Sequence, residues 1–153
     1  MDNRPKLSEV WMNLAKELAR RSTCSSKIRV GAVLVSEEGF VVATGYNGSP
    51  SGQPHCDDVG HEKDVNGKCV RAIHAEMNAL LQCARRGVSS EGCTLYITHK
   101  PCPRCTQALV QAGVAAVIYE EDHGYAEERR LTALFVWQSG LFMRERSQLE
   151  HDA

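Results

Sequence analysis

Apolar positions recur along the chain with two periods, and their alternation lays out an α/β protein. Trp11, Leu14, Ala15 and Leu18 fall at helical spacing, which predicts a helix capped by Ser8 and running to about residue 21. Residues 30–35 form an unbroken apolar run of strand length. Ser36-Glu37-Glu38-Gly39 reads as a turn, and residues 40–46 return as the second arm of a hairpin. Residues 47–71 carry Gly, Pro and Asp with no sustained period, and connections of that length are usually functional or held by something. A helix is expected over 73–86 with Gly87 as its stop, then a short strand over 94–98. Cys102 stands where a helix cap belongs, Pro103 suits the first helical position, and Gly113 suits the end. A strand over 114–119, a helix over 126–139 stopped by Gly140, and a weak last strand over 141–143 complete the pattern. The expected architecture is a three-layer α/β/α sandwich on a mixed, partly parallel five-stranded sheet, forming one domain over residues 1–153.

Composition narrows the setting. The chain has 153 residues, 42% hydrophobic and 24% charged, enough for an unstapled globular core. No apolar run reaches the roughly 20 residues that span a bilayer, and Met1-Asp2-Asn3-Arg4-Pro5-Lys6 leads into no signal-type apolar core. Seven cysteines, an odd number with several at metal spacings, point to a reducing compartment and metal thiolates instead of disulfides. A cytoplasmic protein with no membrane partner is expected. The net charge of −1 lacks the basic excess of proteins that track along nucleic acid, whereas a small anionic nucleotide needs only one or two placed cations.

The candidate chemistry sits in His74-Ala75-Glu76 and Pro101-Cys102-Pro103-Arg104-Cys105. One imidazole and two thiolates make three zinc ligands and leave a fourth position for water, the arrangement of a catalytic and not a closed structural site. Each motif opens a predicted helix, where backbone N–H groups and the helix dipole favour thiolate. Glu76, two residues from His74, is placed to take a proton from an activated water and return it to a substrate. Separately the motifs are weak, since His-x-Glu is common and Cys-x-x-Cys also serves redox and structural zinc sites. A structural site, however, needs a fourth ligand and has no use for Glu76. Cys24, Cys56, His61 and Cys69 flank or occupy the long connection, and their donors suit a second zinc, with His55 as a substitute for His61. The other reading leaves them as unpaired thiols. Cys83 and Cys93 are expected in the core, and Trp11, Phe135 and Trp137 in the core or a subunit interface. Tyr125, beyond the fourth strand, is within reach of a substrate. Glu120-Glu121-Asp122 and Glu127-Glu128-Arg129-Arg130 read as solvated, and the C-terminal tail as frayed.

The order His-x-Glu, then Pro-Cys-x-x-Cys is the signature of zinc-dependent nucleobase deaminases. Together with Val30-Gly31-Ala32-Val33, Gly45-Tyr46-Asn47-Gly48-Ser49-Pro50-Ser51-Gly52 and His74-Ala75-Glu76-Met77-Asn78-Ala79, it makes residues 21–119 resemble the deoxycytidylate deaminases, including the competence-operon deaminases of bacteria. The Gly-Tyr-Asn-Gly-x-Pro-x-Gly segment discriminates, because the tRNA and DNA deaminases share the zinc motifs without it. The resemblance implies a cytidine deaminase-like fold, conversion of dCMP to dUMP for thymidylate synthesis, and a homo-oligomer, a hexamer. It further implies activation by dCTP and inhibition by dTTP with Mg2+. It implies a sugar-binding role for Asn47, a substrate contact at Ala75, and a second zinc with cysteines matching Cys24 and Cys56. For the phosphate, Lys27 and Arg29 are the cations at hand. Here Cys24-Ser25-Ser26-Lys27-Ile28-Arg29 departs from the family pattern, with an extra residue and no arginine two after the cysteine. Two alternatives stand beside this reading: a polynucleotide deaminase acting on tRNA or single-stranded DNA, and a zinc-stabilised binding module without catalysis.

Overall fold

The computed structural model describes residues 3–26 and 28–149, so the expectation for Lys27 lies outside the described residues. Its sheet has five strands in the order β2-β1-β3-β4-β5, namely β1 (Gly31–Val35), β2 (Val41–Tyr46), β3 (Thr94–His99), β4 (Ala116–Glu121) and β5 (Phe142–Glu145). β1 runs antiparallel to both β2 and β3, and β4 lies parallel to both β3 and β5. Helices cover both faces, as the apolar pattern predicts. All five residues of β1 are buried, with Ala32 and Leu34 in the larger core and Val33 and Val35 in the smaller one. A strand covered on both faces reads as a continuous hydrophobic run, which is why residues 30–35 show no alternation.

The smaller core lies under α1 (Leu7–Ala19), and the larger under α3 (Ala75–Arg86) and α4 (Pro103–Gln111), against which α5 (Ala126–Ser139) packs. Helix α1 begins earlier than expected. Lys6 is its cap, in extended conformation, and its carbonyl takes the N–H groups of Glu9 and Val10, so Ser8 lies inside the first turn. Its buried stripe is Met12, Ala15 and Ala19 with Trp11 and Leu18 beside it, while Leu14 turns to solvent. Gly87 and Gly140 end α3 and α5 in the left-handed conformation that a Cβ disfavours, as their positions predict. Phe135 is half-buried and Trp137 lies open to solvent.

Two glycines set the distance between helices and sheet. A Cβ at Gly31 would lie 1.9 Å from the Ala15 carbonyl oxygen, and one at Gly45 would lie 2.1 Å from that of Ala75. Glycine therefore lets α1 rest on β1 and α3 on β2 with backbone against backbone.

Two expectations are corrected. The tail is not frayed as far as residue 149: a short helix, α6 (Arg146–Leu149), follows β5, and Leu149 packs into the smaller core. Glu120 and Asp122 are not freely solvated. The Arg146 guanidinium donates twice to Glu120 (2.6 and 3.2 Å) and Lys16 once (2.8 Å), holding that carboxyl below its usual range against the effect of burial. Asp122 faces both Lys100 (3.4 Å) and Arg129 (3.2 Å). The long connection also contains structure that its composition hides. A one-turn helix, α2 (Cys56–Val59), is followed by an isolated bridge between Lys63 and Cys69, and another bridge joins Gly48 to Ile73.

Candidate active site

The helix starts deliver the predicted donors to one point. His74 is the cap residue of α3 and Cys102 that of α4, with Pro103 in the first turn, so Cys105 falls at the third helical position. His74 Nδ1 lies 3.4 Å from Cys105 Sγ and 3.8 Å from Cys102 Sγ, and the three donor atoms lie within 4.8 Å of one another. Thr106, fully buried, donates both its N–H and its hydroxyl to the Cys102 carbonyl (2.9 Å each) and fixes that turn. Asn78 donates to the carbonyls of Tyr46 (2.8 Å) and Ile73 (3.4 Å), tying the start of α3 to the end of β2. Thr106 carries no motif signal of its own, whereas Asn78 lies in the His74–Ala79 motif, four residues after His74, and its N–H bonds the His74 carbonyl (2.9 Å).

Electrostatically the three donors behave as one unit. The hydrogen bond from Cys105, helped by His74, pulls Cys102 down to about 4 against burial. The bond to Cys102 pushes Cys105 far up, together with burial and the nearby Glu76. His74 is raised to about 9, chiefly by its bond with Cys102 and opposed by burial. Two sulfurs and an imidazole at this separation fit a zinc ion, and no fourth protein donor belongs to the cluster among the described residues. Glu76 is buried one helical residue past Ala75, and burial pushes its carboxyl up against the pull of His74. A carboxyl that holds a proton more readily than usual, beside an open metal position, is suited to moving protons.

The site opens into a cavity of about 580 Å³ bordered by His74, Ala75, Glu76, Cys102, Asn47 and Tyr125, a volume suited to a small-molecule ligand. Ala75 is fully buried at its wall. Asn47 is buried too, and its amide clamps the neighbouring segment: the Val30 N–H donates to Oδ1 (2.8 Å), and Nδ2 donates to the Ile28 carbonyl (3.1 Å). One N–H and one lone pair of that amide remain for a ligand. Arg29 is not brought to the cavity. It is exposed, and its charge acts on Asp57 instead. Among the described residues the lysines on the cavity wall are Lys68 and Lys100, which the motif pattern does not mark. His99 borders the cavity as well, and burial holds its imidazole below the ordinary value.

The second predicted group assembles from loops. Cys24, Cys56, His61 and Cys69 place their donor atoms within 4.8 Å of one another, with Cys24 Sγ 3.5 Å from His61 Nδ1 and Cys56 Sγ 3.6 Å from Cys69 Sγ. The Ser26 hydroxyl contacts the other ring nitrogen of His61. Burial raises Cys69, but the backbone N–H groups of Ala72 and Arg71 and the His61 ring outweigh it and bring the thiol down to about 6. Cys24, buried among the other sulfurs, is pushed up to about 12. Three thiols and an imidazole are the donor set of a closed four-coordinate zinc site. His55 stands outside this cluster. Cys83 and Cys93 are buried in the larger core, as expected.

With that geometry, comparison with known proteins is informative. The family of the cytidine and deoxycytidylate deaminase zinc-binding region matches residues 5–121. Over 124 residues the chain is 44% identical to ComE operon protein 2 of Bacillus subtilis, a match covering 79% of this chain. The chain spans 64% of that protein, less than two thirds of its length. It is 35% identical over 131 residues to the deoxycytidylate deaminase of Mycobacterium phage D29, covering 78% of this chain and 98% of the phage protein. The crystal structure of dCMP deaminase from the cyanophage S-TIM5 in complex with dCMP and dUMP matches with a TM-score of 0.75 at 30% identity, covering 93% of this chain and 98% of that one.

Proposed function

The chain belongs to the cytidine and deoxycytidylate deaminase family, and from that premise we propose that it hydrolyses dCMP to dUMP and ammonia, supplying dUMP for thymidylate synthesis. The observation that carries this reading is a buried glutamate beside a three-donor cluster at the wall of a nucleotide-sized cavity.

In this reading His74, Cys102 and Cys105 hold the zinc, and the ion supplies the Lewis acidity that acidifies a water. Glu76 takes one proton from the attacking water and passes it to the ring nitrogen next to the amino-bearing carbon. The same carboxyl then carries the remaining hydroxyl proton to the amine, and the C–N bond breaks to release ammonia as the carbonyl forms. Burial of Glu76 supports this shuttle, because a carboxyl raised above its ordinary value gains a proton readily and still gives it up. The remaining amide capacity of Asn47 supports a contact to the sugar, and Ala75 forms the wall beside the base. Lys68 and Lys100 border the cavity and join Lys27 as candidates for the phosphate, while Arg29 lies outside it.

The finer parts of the proposal are a second, structural zinc on Cys24, Cys56, His61 and Cys69, a hexamer, and a cytoplasmic location. Regulation by dCTP and dTTP with Mg2+ completes it. Exposed Trp137, Phe142 and Leu134 are consistent with subunit contacts. Among the described residues no helix is long and apolar enough to cross a membrane.

Purified protein incubated with dCMP, deoxycytidine, CMP and a cytosine-containing oligonucleotide, with ammonia as the readout and Glu76→Ala as the control, tests the reading. Turnover of dCMP alone, lost in the control, is expected. Turnover of the oligonucleotide alone would move the activity to polynucleotide editing. Silence on every substrate, with dCTP and Mg2+ added, would leave a zinc-stabilised module.

A further inference from the structure

A third group of metal-type donors stands apart from both cysteine clusters and takes no part in the chemistry above. His99 is the last residue of β3 and Glu121 the last of β4, and the parallel register sets them opposite each other. His123 follows two residues after Glu121. One donor atom from each of the three lies within 4.8 Å of the others. Oε2 of Glu121 is 2.6 Å from His123 Nε2 and 3.6 Å from His99 Nε2, and the two rings have centroids 5.2 Å apart. We propose that His99, Glu121 and His123 bind a divalent transition-metal ion of the zinc, cobalt and nickel type, with water in the remaining coordination positions.

Donor chemistry selects the class of ion. Two imidazoles and one carboxylate suit borderline transition metals, whereas Mg2+ and Ca2+ take oxygen ligands. The second ring nitrogen of His99 is already engaged. Its Nδ1 lies 2.9 Å from Thr98 Oγ1, which in turn accepts the Gly31 N–H (3.2 Å). A proton on Nδ1 bonded to Thr98 leaves the Nε2 lone pair on the side of Glu121, and such a bond at the far nitrogen is the usual support of a metal-ligating histidine. Glu121 and His123 have side chains 56% and 50% exposed, so they can open by the fraction of an ångström that an ion between them requires.

Charge decides between a cation and an anion. Lys100 and Arg129 lie nearby, but both already face Asp122, and Glu128 borders the same hollow of about 160 Å³. Lys68 in turn faces Glu128 (3.7 Å), which leaves Glu121 as the carboxylate that meets the two imidazoles and favours a cation between them. His99, Lys100, Cys102 and Glu128 also border the larger cavity, which puts the proposed ion at the mouth of the candidate active site. The competing account is a simple His123–Glu121 ion pair, which needs no metal.

The untagged full chain and the His123→Gln and His99→Gln/His123→Gln variants are dialysed against a micromolar excess of free zinc, and metal per chain is counted by mass spectrometry. His123 is half-exposed on a loop, so His123→Gln should melt as the wild type does. The difference between proteins is the readout, which makes it independent of how fully the cysteine clusters are loaded and of whether the chain deaminates dCMP. One ion fewer in both variants is the expected result, with Ni2+ broadening the imidazole resonances of His99 and His123 ahead of those of His55. Equal zinc in all three proteins, or nickel effects confined to the other histidines, would overturn the proposal.

Discussion

The two cysteine clusters are built from the same atoms and differ in everything that surrounds them. The first has three donors on the opening turns of two long helices that rest on the sheet, and a buried carboxyl stands next to it. The second has four donors, carried by connecting segments and a one-turn helix, and none of its members is a carboxylate. An incomplete donor set on a rigid support keeps a coordination position for chemistry, whereas a complete set on weak support spends the ion on order. The second cluster lies in the chain segment with the least regular structure, where a core cannot form. Donor count and scaffold rigidity together separate the two roles.

The sharpest test of that contrast is Glu76→Gln. Turnover of dCMP should fall by about 100- to 10,000-fold, the range of a lost general acid–base group, while both clusters keep their zinc by metal analysis. Loss of zinc in this variant would break the distinction between the carboxyl and the donors. Next in size is Cys69→Ser. It should release zinc from the four-donor cluster alone and cost about 3–5 kcal/mol. At roughly 2–4 °C per kcal/mol for a chain of this size, the melting temperature should drop by about 10 °C in a thermal scan.

Proton competition gives a finer test. In the metal-free chain His74 keeps its proton up to about pH 9, and Cys105 is a thiol. Zinc must displace both protons, so affinity at the three-donor cluster should rise steeply with pH up to about 9 and less steeply beyond, where only Cys105 still gives up a proton. With two protons released the slope is roughly a hundredfold per pH unit. In the four-donor cluster Cys69 is a thiolate above about 6, but Cys24 and Cys56 hold their protons more tightly than usual, so affinity there rises with pH as well. With one donor fewer, the three-donor cluster should be stripped first by a chromophoric chelator as the pH falls, and the reverse order would contradict the assignment. The smallest effect belongs to Asn78→Ala, which removes two hydrogen bonds at the start of α3. A cost of about 1–2 kcal/mol in a thermal melt is expected, with lower turnover and an unchanged four-donor cluster.

What the chain discloses in advance depends on how local the signal is. The end of helix α5 is legible because it stops at Gly140, which takes the left-handed conformation. His74, Glu76, Cys102 and Cys105 are legible because each pair lies within one helical turn and the helix starts announce themselves. The start of α1 is misread because Ser8 resembles a cap, while the chain uses the extended backbone of Lys6. Arg29 lies outside the cavity for a different reason: adjacency to the first strand says nothing about which side of it faces the cavity. Lys68, Lys100 and the His99–Glu121–His123 group depend on loop path and strand register, which no short window of sequence contains. The ion pairs of Glu120 likewise join α1, β4 and α6 across more than a hundred residues.

Gly45 touches neither the metal donors nor the cavity of the candidate active site, yet it acts as their spacer gauge. The carbonyl that a methyl group at this position would strike belongs to Ala75, the residue between His74 and Glu76. Relieving that overlap means lifting the first turn of α3 by roughly 1 Å, whereas metal–ligand distances tolerate about 0.2 Å. One missing carbon on the neighbouring strand therefore calibrates a metal donor and a proton carrier at once. Sequence drift can reach the chemistry through this position without altering any reacting group.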